Sequence, residues 1–294
     1  MLIGFIGLGK MGGALARNLV RKQYNVKAFD LSPEAMERVT EFGGSECSSA
    51  AEAARDVDVL FISLPLPEHL LKLFVGDDSI LEVMREGSTI IDVGSNDPQT
   101  VKSVEKEIEN HNMNFLACPL GKGPAQAEEG TQPIFAGGNK KVFESNEALL
   151  NDIGNPVTYL GSVEQSTSFK LISNMIGMTN LLVMSEGINL GINAGIEPKQ
   201  LIELLINDTG ADSYQLKLRA PWILEEDFEP RFATKLALKD LRLGLKTAEY
   251  FGQSAATTEL STKLYEKAIE EGYEDEDCNA VFKIFQNKEM VSSK

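Results

Sequence analysis

The sequence is poor in the side chains that most often build metal sites, disulfides and histidine-based active sites. Its few cysteines are Cys47, Cys118 and Cys278, and its only histidines are His69 and His111. No two cysteines form a CxxC pair, which argues against a disulfide framework or a zinc knuckle. Neither histidine stands in a metal-ligand spacing, so we expect both at the surface and no metal site. The HExxH, GxSxG and P-loop motifs are missing as well.

Positive charge is also scarce. The chain has 28 Lys and Arg against 44 Asp and Glu, which gives a formal net charge of −16. Such a chain repels nucleic acids and anionic membranes, so we expect neither as a partner. A small anionic substrate stays compatible with this charge if a local basic pocket outweighs the field of the whole molecule.

Long hydrophobic runs are not evident, and we expect none that spans a membrane. The apolar start, MLIGFIG, reaches glycine within a few residues and has no cleavage-site pattern, so it does not resemble a signal peptide. Together with the low cysteine content, this favours a cytoplasmic location. The chain has 294 residues, 43% of them hydrophobic, which is enough for two domains.

Short apolar runs alternate with amphipathic segments in the first half of the chain. The runs are β-branched or aromatic and end at Gly, Pro, Asp or Ser, which predicts strands. The predicted strands are 2–7, 25–30, 57–63, 88–93, 113–117, 132–137 and 156–161. The predicted helices between them include 14–22, 33–42 and 98–109. This alternation predicts an α/β Rossmann domain over residues 1–162, with a doubly wound, mostly parallel sheet.

The strand pattern stops near residue 162, and the remaining residues 163–294 are predicted to form an all-helical domain. The stretch from Ser168 to Gly195 repeats apolar residues at helical spacing, and about 30 residues would make a rod of about 45 Å. This length exceeds the needs of one small core, so we expect the helix to join two domains or subunits and the chain to be a homodimer or homotetramer. Shorter helices are predicted at 198–208, 213–224, 232–251, 255–271 and 277–287.

A glycine-rich turn after the first strand has the GxGxxG spacing of a dinucleotide site. Its predicted contact residues are Gly7, Leu8, Gly9, Lys10, Met11 and Gly12. The turn opens an amphipathic helix, whose N-terminal amides can hold a pyrophosphate. The second strand ends at Asp30, where a carboxylate can bind both ribose hydroxyls. A 2′-phosphate would meet this negative charge, so the pattern favours NAD over NADP.

The long predicted helix carries a lysine and an asparagine on one face. Lys170 and Asn174 are four residues apart, and Gly177 follows one turn later, where we expect open space. Hydride transfer to or from an alcohol carbon requires a matched proton transfer, and no histidine is suitably placed. Lys170 is the candidate, with a pKa lowered toward roughly 7–8 by burial and neighbouring positive charge. Pattern alone leaves open that Lys170 is a solvated helix end.

These motifs, taken in order, resemble the β-hydroxyacid dehydrogenase family, the group that includes 3-hydroxyisobutyrate dehydrogenase and tartronate semialdehyde reductase. GFIGLGKMG looks like its cofactor loop, and FKLISN looks like its catalytic helix, in which Asn174 orients the substrate. SLPLPEHL and IDVGSNDP look like its later nucleotide-contacting turns. FATKLALKDLRLGL looks like its second lysine motif, close to the nicotinamide and the substrate. The residues that the resemblance adds to the site are Leu64, Pro65, Ser95, Lys239 and Asp240.

The loop ACPLGKGPAQA departs from that family, whose loop at this place usually carries a serine and binds the substrate's carboxylate. Gly121 replaces the serine, and Lys122 replaces a glycine. We expect the amides of Gly121 to Gly123 to hold an anionic head and Lys122 to add a full charge. A glycine followed by a basic residue resembles the loop of sulfolactaldehyde reductases, which bind a sulfonate. Exposure of Lys122 to solvent at the rim of the site is the alternative.

The leading hypothesis is an NAD-dependent 3-hydroxyacid dehydrogenase or semialdehyde reductase whose substrate has a carboxylate or sulfonate head. Reduction of 3-sulfolactaldehyde specifically is a narrower alternative. A catalytically silent, NAD-binding oligomeric scaffold is an alternative of another class, against which Lys170, Asn174 and Lys239 argue. Imine reductases share the architecture but usually lack a lysine at this position. Enzymes of the 6-phosphogluconate type normally need a larger helical domain.

Overall fold

The structure is a computed structural model that describes residues 1–76 and 79–286. The chain divides into two compact units, Met1–Lys170 and Leu171–Lys294. The division falls inside the long helix, eight residues beyond the predicted boundary at 162. The first two turns of that helix therefore pack with the first unit, and the rest of it packs with the second.

The first unit is built on an eight-stranded sheet. Its strands are β1 (Leu2–Ile6), β2 (Asn25–Phe29), β3 (Ser45–Glu46), β4 (Val59–Ile62), β5 (Thr89–Asp92), β6 (Asn114–Ala117), β7 (Ile134–Gly138) and β8 (Val157–Tyr159). Their spatial order is β3-β2-β1-β4-β5-β6-β7-β8. Neighbouring strands are parallel, apart from the antiparallel pair β6 and β7. The order reverses between β1 and β4, which is the switch point where such sheets bind ligands.

Helices cover both faces of this sheet. They are α1 (Lys10–Arg21), α2 (Pro33–Thr40), α3 (Ala50–Ala54), α4 (Pro67–Phe74), α5 (Pro98–Asn110), α6 (Pro124–Glu129) and α7 (Lys140–Ile153). Ile3, Phe5 and Phe61 belong to one hydrophobic cluster, and Leu60 and Ile62 belong to a second. Because successive strand residues point to opposite faces, these clusters lie on the two sides of the sheet.

The second unit is helical throughout its described residues. Its helices are the remainder of α8 (Val163–Asn193), then α9 (Pro198–Asn207), α10 (Tyr214–Leu224), α11 (Thr234–Tyr250), α12 (Ala256–Glu270) and α13 (Val281–Gln286). Its main core joins α8, α11 and α12 through Met178, Leu181, Leu241 and Tyr265. The predicted fold class, a Rossmann sheet followed by an all-helical region, is confirmed.

Several local predictions differ from the structure. The helix α8 begins at Val163, five residues before the predicted Ser168. The predicted helix 277–287 is a 3₁₀ turn (Cys278–Ala280) followed by α13, and residue 287 lies outside the described residues. The exposed two-residue strand β3 has no apolar pattern from which it could be predicted. The helices α3, α4, α6 and α7 were also not predicted.

The helix α8 is long and apolar enough, by length and composition alone, to cross a membrane. The expectation that no run in the sequence has this property was wrong. The helix is apolar on two opposite faces, which explains the composition. Leu171 and Leu181 are buried on one face, whereas Ile176, Val183 and Leu190 are exposed on the other. The inner face packs in the core of the second unit, as in the interior helix of a helical domain.

A buried ion pair joins α10 to the segment before α13. Arg219 is 7% exposed and donates from Nη1 to the carboxylate of Asp277, which is 0% exposed. The second carboxylate oxygen of Asp277 accepts from the backbone N of Arg231 at 3.0 Å and of Phe232 at 2.8 Å. A buried charge is tolerated only when it is paired and hydrogen-bonded, as it is here.

We predict that Asp277→Ala lowers the free energy of unfolding by about 3–5 kcal/mol, because Arg219 stays buried without its counter-charge. Asp212→Ala is the matched control: Asp212 pairs with Lys217 through side chains that are 36% and 58% exposed. Its loss should stay below about 1 kcal/mol. Urea unfolding curves measure both variants, and equal losses would contradict a structural role for the buried pair.

Candidate active site

The glycines of the β1–α1 turn serve two different purposes. Gly7 has φ +91°, and a Cβ on it would lie 2.3 Å from the carbonyl oxygen of Ser63. A Cβ on Gly12 would lie 2.0 Å from the carbonyl oxygen of Gly7. A Cβ on Gly9, in contrast, would meet no described heavy atom within 4 Å. Gly7 and Gly12 therefore let the turn pack against the end of β4, and Gly9 leaves open space at the N-terminus of α1. This arrangement fits a dinucleotide pyrophosphate.

The carboxylate of Asp30 is fixed beside this turn. Its Oδ2 accepts from the backbone N of Leu8 at 2.5 Å, and its Oδ1 accepts from the backbone N of Ser32 at 2.9 Å. Ser32 Oγ in turn donates to Glu34 Oε2 at 2.7 Å. This hydrogen bond lowers the pKa of the Glu34 carboxyl below its usual range. The turn after β2 therefore holds two negative groups, and the second, Glu34, was not predicted.

The turns after β4 and β5 approach each other. A Cβ on Gly94 would lie 3.3 Å from the carbonyl oxygen of Leu64. The buried Asp92 carboxylate accepts from the backbone N of Gly94 at 2.9 Å and from Nδ2 of Asn96 at 2.7 Å. This network fixes the backbone around Ser95 and was not predicted. The predicted cofactor residues after β1, β2, β4 and β5 thus all lie at the carboxyl edge of one sheet, as does Pro65.

The loop between β6 and α6 offers less backbone for an anion than predicted. The backbone N of Gly121 donates to the carbonyl oxygen of Pro133 at 2.8 Å, and that of Gly123 donates to Oε1 of Gln126 at 3.3 Å. Lys122 lies between them with φ +56° and an exposed side chain. A lysine in the left-handed region carries a conformational cost that a glycine would not. The groups left for an anion are the amide and the ammonium of Lys122.

Ion pairs hold this loop against the cofactor helix. Glu128 of α6 accepts hydrogen bonds from Arg17 and Arg21 of α1, with Arg17 Nε at 3.2 Å from Glu128 Oε1. Because α6 follows the loop directly, these contacts tie the position of Lys122 to that of the helix that begins at the cofactor turn. The residues involved are more than a hundred positions apart, and no sequence pattern indicated their contact.

The start of α8 is anchored at the same edge of the sheet. Ser166 Oγ donates to the carbonyl oxygen of Ala117, the last residue of β6, at 3.0 Å. The ring centroids of Phe169 and Phe135 lie 4.6 Å apart. These contacts fix the turn of α8 that carries the half-buried Lys170. Lys170 therefore belongs to the same compact unit as the predicted cofactor turns and the loop of Lys122.

The second unit brings Asn174, Lys239 and Asp240 together. Asp240 is 2% exposed, and its Oδ2 accepts from Nδ2 of Asn174 at 2.5 Å. Its Oδ1 lies 3.0 Å from Nζ of Lys239. Asp240 uses one N–H of the Asn174 amide, and the second N–H is left as a donor for a substrate oxygen. The link from Asp240 to Asn174 was not predicted.

The space beside Gly177 is not open as expected. A Cβ on Gly177 would lie 3.0 Å from Nε2 of Gln215, so the side chain of α10 already reaches this face of α8. The contact results from the packing of α10 against α8. The helical spacing of residues within either segment does not indicate this packing.

The cysteines and histidines take no part in this arrangement. Cys47, Cys118 and Cys278 are free and buried, and burial raises the pKa of the Cys118 and Cys278 thiols. His69 is exposed, and His111 is partly buried. Among residues 1–76 and 79–286, no group of His, Cys, Asp and Glu could hold a metal ion.

Comparison with known proteins agrees with this geometry. Residues 2–161 match the NAD binding domain of 6-phosphogluconate dehydrogenase. Residues 165–285 match a family described as NAD-binding of NADP-dependent 3-hydroxyisobutyrate dehydrogenase. Together the two matches span both units of the chain.

Individual relatives match over almost the whole chain. A probable mitochondrial 3-hydroxyisobutyrate dehydrogenase of Dictyostelium discoideum is 30% identical, over 99% of this chain and 92% of the relative. The 2-(hydroxymethyl)glutarate dehydrogenase of Eubacterium barkeri is 28% identical, over 99% and 96%. The solved 3-hydroxyisobutyrate dehydrogenase of Mycobacterium tuberculosis has the same fold, with a TM-score of 0.89, 24% identity and 97% and 99% coverage. The chain belongs to the β-hydroxyacid dehydrogenase family and is an NAD(P)-dependent oxidoreductase that acts on CH–OH groups.

Proposed function

We propose that the chain is an NAD-dependent 3-hydroxyacid dehydrogenase or semialdehyde reductase in which Lys170 exchanges the proton. The observation that carries this proposal is the placement of Lys170 and Asn174 one turn apart on a single helix, with each residue fixed by its own unit. A nicotinamide, when bound, accepts or supplies the hydride. The residues of the chain must then bind the substrate, orient its oxygen and move one proton.

Lys170 takes the hydroxyl proton when the alcohol is oxidised and returns it to the carbonyl oxygen when the aldehyde is reduced. The N–H of the Asn174 amide that Asp240 does not use donates to the substrate oxygen, which accepts it both as a hydroxyl and as a carbonyl. The ammonium of Lys239 is held by the same carboxylate and adds positive potential. Lys170 acts best with a pKa near the working pH, since general acid–base catalysis is most effective there.

Lys170→Ala should lower kcat by about 10²–10⁴-fold, the usual contribution of a general acid or base. The affinity for NADH should not change, because Lys170 is not among the predicted cofactor contacts. Steady-state kinetics with short semialdehydes and a fluorescence titration of NADH measure the two effects. Lys199→Ala, at the exposed start of α9, is the control. Near-normal turnover of Lys170→Ala would remove the proposed role.

We also propose NAD as the preferred cofactor. Asp30 places a carboxylate beside the glycine turn, and Glu34 adds a second one through Ser32. Both would face the 2′-phosphate of NADP. The description of one matched family as NADP-dependent concerns that family, and the local charge of this chain favours the other dinucleotide.

Asp30→Asn should lower the ratio of kcat/KM for NAD to kcat/KM for NADP by about tenfold. It removes the repulsion between the Asp30 carboxylate and the 2′-phosphate of NADP, which is worth roughly 1 kcal/mol or more. The asparagine Oδ1 can still accept one of the two backbone hydrogen bonds, so the turn should persist. Glu147→Gln on the exposed face of α7 removes the same charge far along the chain and should leave the ratio unchanged. A wild-type enzyme that prefers NADP would contradict the Asp30 argument.

We propose further that Lys122 binds the anionic head of the substrate. The backbone N–H and the ammonium group of Lys122 have no hydrogen-bond partner among the described residues. The backbone of Lys122 lies in the left-handed region, which favours glycine. A full positive charge suits a sulfonate as well as a carboxylate, so 3-sulfolactaldehyde remains the narrower candidate. The homo-oligomeric state and the cytoplasmic location expected from the sequence stay predictions.

Lys122→Gly should raise KM for an anionic semialdehyde by about ten- to hundredfold, as expected for loss of one hydrogen bond to a charged group. Glycine adopts the φ of this position freely, so the loop should keep its shape. Initial rates with the carboxylate and sulfonate forms of one carbon skeleton measure the effect. The control is Lys140→Ala in α7, which also removes one lysine charge. Alanine is used there because a glycine would destabilise the helix. An unchanged KM for both substrates would place Lys122 outside the site.

A further inference from the structure

Gln215 of α10 presents an amide to the face of α8 that carries Asn174. The residue is only 9% exposed. A Cβ on Gly177 would lie 3.0 Å from the Nε2 atom of Gln215. Gly177 lies about one helical turn beyond Asn174. Residues three positions apart on a helix are neighbours, so the Gln215 amide lies about one helical turn from Asn174.

The orientation of this amide is fixed by a buried relay. Gln215 Oε1 accepts from Nε of Arg219 at 2.8 Å, and Arg219 is held by Asp277. A guanidinium has only donors, so it must meet the oxygen of the glutamine amide. The nitrogen must therefore point the other way, toward Gly177.

The nitrogen end is unused within the described residues. Gln215 Nε2 has no acceptor there, yet it is not sealed from solvent as the fully buried unpaired groups of the molecule are. The hydrogen bond from Arg219 already fixes the Gln215 side chain. Binding a ligand through Nε2 would therefore cost little additional side-chain entropy. Asn174 has a donor of its own for the reacting oxygen, namely the N–H that Asp240 does not use.

We propose that Gln215 donates a hydrogen bond to a second oxygen of the substrate, next to the reacting hydroxyl, and so selects substrates with a hydroxyl on C2 over those with a methyl group there. This inference rests on the proposed function. A methyl group would leave the N–H groups of Gln215 without a partner and would also displace their water. A site built to bind a hydroxyl rejects an analogue that lacks it.

Two aldehydes of one skeleton test this selection: 3-oxopropanoate with a hydroxyl on C2 and 3-oxopropanoate with a methyl group on C2. The wild-type enzyme should reduce the hydroxyl form with a kcat/KM at least about tenfold higher, as expected for one unmet hydrogen bond. Gln215→Leu should lower kcat/KM for the hydroxyl form by about ten- to hundredfold and leave the methyl form within about threefold.

Gln215→Glu guards against a folding defect, because its carboxylate keeps an acceptor for Arg219 and loses the donor. It should show the same selective loss as Gln215→Leu. Gln200→Leu, on the exposed start of α9, is the matched control and should change neither rate. Equal losses on the two aldehydes, or a wild-type preference for the methyl form, would overturn the assignment of Gln215.

The proposed function and this inference can fail separately. A wild-type enzyme that reduces neither aldehyde would contradict the proposed function. Calorimetric binding of 2,3-dihydroxypropanoate and 3-hydroxy-2-methylpropanoate to the NAD complex then decides about Gln215 without turnover. Tighter binding of the dihydroxy acid, lost in Gln215→Glu, supports the assignment, and equal binding of the two acids contradicts it.

Discussion

The contacts of the Asp240 carboxylate determine how Asn174 and Lys239 are placed in the second unit. A carboxylate that is 2% exposed is costly unless it is hydrogen-bonded or paired with a positive charge, and here Asn174 donates a hydrogen bond and Lys239 supplies the positive charge. The same bonds that stabilise the charge fix the two side chains that the substrate would meet. The helical repeat of α8 determines which other side chains lie beside Asn174. Lys170, Asn174 and Gly177 share one face of the helix because α8 is unbroken between Lys170 and Gly177.

The first unit depends on close approach of backbones at one edge of its sheet. Gly7 and Gly12 let the β1–α1 turn pack against the end of β4, and Gly94 lets the next turn reach Leu64. Parallel strands bring these turns together because their carboxyl ends meet at one edge. The contact of Ser166 with the end of β6 adds the start of α8 to the same edge.

Much of the fold follows from the sequence, because strands buried on both faces and amphipathic helices leave strong patterns. The Rossmann sheet, the long helix and the helical second half were predicted from such patterns, and the family was recognised from four motifs in order. The helix α7 had a readable pattern in Phe143, Leu149 and Ile153 and was missed. The strand β3 had none. Contacts between distant segments, such as Glu128 with Arg17, Asp240 with Asn174 and Gln215 beside Gly177, leave no local trace and needed the structure. The roles of the predicted site residues stay predictions.

The central claim is that one amine, Lys170, exchanges the proton with the reacting oxygen. A crystal structure of the enzyme with NAD and a slowly oxidised 3-hydroxy acid tests it most directly. Nζ of Lys170 should lie within about 2.6–3.2 Å of the substrate hydroxyl oxygen, with the Asn174 amide bound to the same oxygen. A ternary complex in which that hydroxyl meets another proton donor, and the Lys170 side chain extends into bulk solvent, would contradict it.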